Sequence, residues 1–110
     1  MSAEEELDSK IPLDAVLRAT HNFLNEAGWV LEFDDGQMIP IPRQPEPFII
    51  SRAFIKAHAP DVFLDDHFEA VVALNPERLG HNLIARAGKL KLYFNREGKF
   101  VSEDRYPPAM

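Results

Sequence analysis

Apolar residues recur every three or four positions from Leu13 to Ala27 and every second position from Leu90 to Phe94. The chain must therefore join at least one amphipathic helix to a β-hairpin around a shared core. The helix is delimited at both ends. Pro12 suits its first turn, Leu13, Val16, Leu17, Thr20, Leu24 and Ala27 share one face, and Gly28 supplies a left-handed stop. Near the other terminus, Lys89-Leu90-Lys91-Leu92-Tyr93-Phe94, the turn Asn95-Arg96-Glu97-Gly98 and Lys99-Phe100-Val101-Ser102 predict a hairpin, paired from Leu90 to Phe94 against Lys99 to Ser102. With 110 residues there is room for one core and one domain. Its expected limits are residues 10–106, after a flexible acidic tail over 1–9 and before a short tail over 107–110.

Between the two ends the signals alternate. Trp29 to Phe33, the turn Asp34-Asp35-Gly36 and Gln37 to Ile41 predict a first hairpin, and Pro40 and Pro42 place its second strand at an edge. Pro42, Pro45 and Pro47 make the next stretch an extended loop. Three short helices are then expected. The first follows the short strand Phe48-Ile49-Ile50, with Ser51 as cap and Pro60 as stop, and carries Phe54, Ile55 and Ala59 inward. The second starts at the capping-box spacing of Asp66 and Glu69, runs to Leu74 and buries Phe68, Val71 and Val72. The third, over 76–87, follows Asn75 as cap and Pro76 as first residue, buries Leu79, Leu83, Ile84 and Ala87, and closes at Gly88. The expected core is Leu17, Leu24, Trp29, Phe54, Phe68, Val72, Leu83 and Leu92.

Charge divides the chain as sharply as periodicity does. Residues 1–75 carry a net −9 and residues 76–99 a net +4 within a total of −6. Such asymmetry points to an interaction surface. The order helix, hairpin, three short helices, hairpin is that of a small α+β winged-helix-like domain, in which the helix before the wing presents its outward face to a DNA major groove. Here that helix would be 76–87 and the wing 89–99. Arg78, His81, Asn82 and Arg86 fall on the helix's outward face, and Lys89, Lys91, Arg96 and Lys99 continue the surface onto the wing. Arg78, Arg86, Lys89 and Arg96 are expected on phosphates, and His81 and Asn82 near base edges.

The segment Phe48-Ile49-Ile50-Ser51-Arg52-Ala53-Phe54-Ile55 resembles the strand-into-helix signature of the C-terminal winged-helix domain of TraI-type conjugative relaxases, with Arg52 where that family typically has proline. The resemblance implies a winged-helix fold and a place in DNA mobilisation on a mobile element, and it transfers no catalytic residue. The expected function is that of a small non-enzymatic binding module whose partner is double-stranded DNA. The alternative is a protein-interaction domain that uses the acidic surface and the proline-rich loop 40–47.

Other chemistries are poorly represented. The absence of cysteine removes disulfides and thiol chemistry and fits a cytoplasmic location. An acidic N-terminus and the lack of a long apolar run give no signal peptide and no membrane partner. Asp61, Asp65, Asp66, His67 and Glu69 could hold a divalent ion, but His58 and His81 stand at no recognised ligand spacing, and Asp66 and Glu69 are accounted for as capping groups. No metal, cofactor or catalytic residue is expected. His21 reads as a surface or partly buried histidine. The aromatics Phe33, Phe48, Phe54, Phe63, Phe68, Phe94 and Phe100 read as core, whereas Tyr93 shares a strand face with Lys89 and Lys91 and is expected to be exposed next to those cations, free to stack or pair with a partner.

Overall fold

The computed structural model describes residues 2–56 and 65–108. Its first long element is the helix the periodicity demands. This helix, α2 (Leu13–Ala27), buries Val16, Thr20 and Leu24 and ends at Gly28, whose φ of 72° is the left-handed stop. The hydroxyl of Thr20 donates to the Val16 carbonyl at 2.8 Å, so the one polar residue on the buried stripe is satisfied. Before it lies α1 (Ala3–Lys10), in place of the flexible tail expected over 1–9. Acidity, which suggested disorder, here suits a helix N-terminus: Glu4, Glu5 and Glu6 occupy the first turn, and the Ser2 hydroxyl accepts from the Glu5 amide. A side chain from far along the chain ties α1 down. Arg52 reaches Asp8 at 2.9 Å and donates to the Ile11 carbonyl at 3.0 Å.

The remaining elements are strands. The first hairpin, β1 (Val30–Glu32) and β2 (Met38–Pro40), matches the expectation; the terminal hairpin, β7 (Lys89–Phe94) and β8 (Phe100–Tyr106), forms as expected but with a longer second strand, so that Leu90 pairs with Arg105 and not within Lys99–Ser102. Between them stand β3 (Phe48–Ile55), β4 (His67–Ala73), β5 (Pro76–Leu79) and β6 (Asn82–Ala85). An antiparallel sheet has the order β3-β4-β7-β8, and β1-β2 and β5-β6 form two-stranded ribbons. The fold among the described residues is thus mostly β. This overturns the winged-helix-like arrangement with its three short helices, and with it the fold that the relaxase resemblance implied. Residues 48–55, the segment of that resemblance, form one continuous strand and not a strand feeding a helix.

Each correction has a physical cause. Strand β4 sits between β3 and β7, and alternation sends Phe68, Ala70 and Val72 to one face and Glu69 and Val71 to the other. Burial on both flanks therefore outweighs a capping-box spacing, and the Glu69 carboxylate pairs with side chains instead of a helix terminus. In the expected helix 76–87, Asn75 is left-handed and Pro76 pairs with Ala85, so the segment doubles back as β5 and β6 around Gly80 and His81. That two-residue loop with glycine first is a tight hairpin connection. The expected end of the 51–60 helix, with His58, Ala59, Pro60, Asp61 and Phe63, lies outside the described residues.

One face of the sheet makes the core. Phe68, Ala70 and Val72 of β4 and Leu90, Leu92 and Phe94 of β7 are at most 2% exposed and pack in one cluster with Val16 and Leu24 of α2. Full burial of each such leucine or phenylalanine contributes about 1.5–3 kcal/mol. Of the expected core, Leu24, Trp29, Phe68, Val72 and Leu92 are buried and Phe54 packs against the cluster. Leu17 is half-buried, and Leu83 is a half-buried residue outside the cluster.

Candidate functional site

The opposite, outer face of the sheet carries the chemistry. Its boundary is set by a bend in the β4–β7 ladder. Beyond Ala73↔Lys89 the two chains stay hydrogen-bonded: the Leu74 amide donates to the Gly88 carbonyl at 2.9 Å, and the Ala87 and Arg86 amides donate to the Leu74 and Asn75 carbonyls at 3.1 Å. The ladder continues directly into β5 and β6, so the pair is a bent extension of the sheet. Asn75 (φ 48°) and Gly88 (φ 98°) form the corner. A side chain at Gly88 would run into the Tyr106 carbonyl and the Phe33 ring, which is why the corner needs glycine.

Bending the ribbon opens a cleft of about 610 Å3 between it and the outer face. Val71, Leu83, Ile84 and Pro107 supply apolar walls, and Arg86, Lys89, Lys91 and Tyr106 supply polar groups. Among the described residues no carboxylate lines it. Pro107 and Pro108, expected as part of a terminal tail, belong to this lining.

From the cleft a ladder of polar side chains runs along the outer face across β4, β7 and β8. Glu69 is bound from both sides, with Oε2 2.7 Å from His67 Nε2 and Oε1 3.2 Å from Lys91 Nζ. The second ring nitrogen of His67, Nδ1, stands 2.8 Å from the Asp65 carbonyl oxygen. Both neighbours of the imidazole are acceptors, so the ring fits with a proton on each nitrogen. Burial opposes that charge, but the Asp65 carbonyl and the Glu69 carboxylate together outweigh it, and His67 titrates above its ordinary range. The hydrogen bond to Glu69, against a smaller opposing effect of burial, likewise raises Lys91. Tyr93 donates to Asp104, and burial followed by that contact pushes its phenol well up. The His67 and Tyr93 rings lie 5.7 Å apart, and Lys91 Nζ is 6.0 Å from the Tyr93 ring centre.

The residues expected to form one helix and wing surface are distributed differently. Arg78 and Asn82 lie on the ribbon strands, His81 in their connecting turn and Arg86 just after β6, all exposed, and Arg86 is paired with Glu77. Lys89 and Lys91 share the outer face of β7, as the alternation required, and Tyr93 follows them there, half-buried rather than free. Arg96 and Lys99 sit at the far turn. Lys89 and Phe94 are five residue steps apart, about 17 Å along the strand. That is roughly twice the screening length at physiological salt, near 8 Å. Glu69 and Asp104 also lie on the face between. The eight residues, six of them Lys or Arg, therefore form two groups, one at the ribbon and cleft and one at the β7–β8 turn.

Sequence reasoning missed Glu69, Asp104, Val71, Tyr106 and Pro107 as parts of a common surface. The signal for β4 was present, since 67–73 alternates as well as it fits a helix, but the meeting of Glu69 with Lys91 depends on register. The proline-rich loop of the alternative reading is held against α2: Arg43 lies 4.7 Å over the Trp29 ring and Glu46 is 3.7 Å from His21 Nε2. Among the described residues no three carboxylate or imidazole side chains converge as a metal site requires, and no helix is long and apolar enough to cross a membrane. Comparison of the chain with protein-family models, with curated proteins and with solved structures finds no match in any of the three.

Proposed function

We propose that this chain is a small non-enzymatic binding module whose recognition surface is the outer face of the sheet together with the bent ribbon above it. The observation that carries this reading is the cleft, where apolar walls and three cations meet with no lining carboxylate among the described residues. The neighbouring polar ladder favours binding over catalysis. Both oxygens of Glu69 and both nitrogens of His67 are engaged within the ladder, and Tyr93 is shifted away from the range in which it could exchange a proton near neutrality.

A second reading keeps double-stranded DNA as the partner and transfers recognition from a helix to the ribbon. Arg78, His81, Asn82 and Arg86 are exposed on a two-stranded element, and a major groove admits such a ribbon. Chemical-shift mapping on the labelled chain separates the readings. Small acids and alcohols should perturb the amides of Val71, Leu83, Lys89 and Tyr106 in a saturable way. A short duplex should perturb 78–82 and lose its effect steeply as salt rises. Perturbations confined to loop 40–47 by a peptide partner would return recognition to the proline-rich segment and refute both.

A further inference from the structure

We infer that the cleft under the ribbon takes a small amphipathic carboxylate, an apolar chain or ring bearing one negative charge. This rests on the binding role proposed above for the outer face and specifies its ligand. Composition favours an anion. The whole chain has 18 acidic and 12 basic residues, yet the cleft lining has Arg86, Lys89 and Lys91 and, among the described residues, no acid. Glu77 and Glu69 each offset one of these cations from outside the lining, so the concave surface keeps one unbalanced positive charge and attracts an anion.

The number of unpaired charges sets the charge of that anion. Arg86 is paired with Glu77, and Lys91 with Glu69. Lys89 has no ion-pair partner among the described residues, and it is exposed at the rim. One cation is therefore available to the cleft, which matches a monoanion and leaves a doubly charged phosphate monoester half unbalanced.

Geometry supplies the orientation. Lys89 and Tyr106 are register partners on neighbouring strands, so their side chains leave the same face side by side. The ammonium and the phenolic hydroxyl are both donors, and together they can hold the two oxygens of one carboxylate. The apolar part then lies between Val71 on the floor and Leu83 and Ile84 on the ribbon, with Pro107 at the end. Val71, Leu83 and Ile84, half-buried and outside the core cluster, would lose their remaining contact with water to the ligand. A volume of about 610 Å3 suits a small organic molecule.

The test uses the full chain, octanoate, its neutral counterpart octanol, and the variant Lys89→Gln, which alters an exposed side chain. Octanoate should shift the amides of Val71, Leu83, Lys89 and Tyr106 to saturation. Octanol should bind about tenfold more weakly or less well still, because it forgoes a charge-assisted hydrogen bond. Lys89→Gln should bring octanoate down to the octanol level, with the spectrum elsewhere unchanged. Equal binding of octanoate and octanol, or an unaltered octanoate affinity in Lys89→Gln, would overturn the carboxylate assignment while leaving the outer face as the binding surface. Silence of these amides toward octanoate alongside a response to a duplex or a peptide would do the same. If no probe of any kind moves them, the ligand class and the binding face fall together.

Discussion

The two faces of strands β4 and β7 are made by alternate residues of the same short segments, yet they differ in almost every physical respect. On the inner face Phe68, Ala70, Val72, Leu90, Leu92 and Phe94 are packed beneath α2, and the face is dry. On the outer face Glu69 holds His67 and Lys91 through a hydrogen bond and an ion pair, the Tyr93 ring lies beside both while its hydroxyl donates to Asp104, and the ribbon overhangs the end nearest Lys89. Non-directional burial holds the first face together, and directional contacts that depend on register hold the second. Stability should therefore reside mainly on the inner face and recognition on the outer one.

The largest expected break of that contrast is Leu92→Ala. Leu92 is fully buried, so truncation leaves a cavity and should cost about 2–5 kcal/mol in denaturant unfolding. The matched truncation Leu83→Ala, at a half-buried position on the ribbon, should cost well under half as much while changing ligand response at the cleft. Similar costs for the two would erase the distinction between the faces.

Next in size is Glu69→Gln. It leaves His67 and Lys91 without the carboxylate they share in a half-buried setting, and a loss of about 1–3 kcal/mol is expected at neutral pH. A neutral result would mean that solvent replaces Glu69 freely and that the ladder does not organise the outer face.

His67 sharpens the comparison through pH. Its folded-state pKa lies above the ordinary 6.5, so the folded chain holds the proton more tightly than the unfolded one. The stability this gives is fully present below about pH 6.5 and is lost as pH rises through the folded-state value. Imidazole proton shifts should report a midpoint above 6.5, and His67→Gln should remove that component from the pH profile of unfolding. A midpoint below 6.5 would show that burial, and not Glu69 with the Asp65 carbonyl, governs the ring.

Arg86→Ala should have the smallest effect. Its ion pair with Glu77 joins side chains that are each nearly half exposed, and such pairs contribute about 0.2–1 kcal/mol. A larger loss would show that the pair, and not the backbone ladder through Asn75 and Gly88, holds the ribbon in place.

Local signals are sufficient wherever an element is short-range and its alternatives are excluded. Pro12 and Gly28 bracket α2, Asp34-Asp35-Gly36 turns the first hairpin, and Asn95 turns the last one, its side chain accepting from the Glu97 and Lys99 amides. The alternation in β7 is also enough to place Lys89, Lys91 and Tyr93 on one face. In 48–87, local signals are ambiguous or point the wrong way. Ser51 resembles a cap, Asp66 and Glu69 a capping box, and Asn75-Pro76 a helix start, while the apolar residues fit a helical period.

One amphipathic helix and two hairpins are legible in the amino-acid order alone, because each depends on residues a few positions apart, and the charge reversal is legible from composition. That 67–73 is a central strand emerges from long-range pairing, since it requires β3 on one side and β7, some twenty residues further on, on the other. Through the same pairing Glu69 meets Lys91, Tyr93 meets Asp104, and 76–85 folds over the outer face. Those contacts depend on register and on a bend at Asn75 and Gly88, and a shift of one residue would send every one of these side chains to the opposite face.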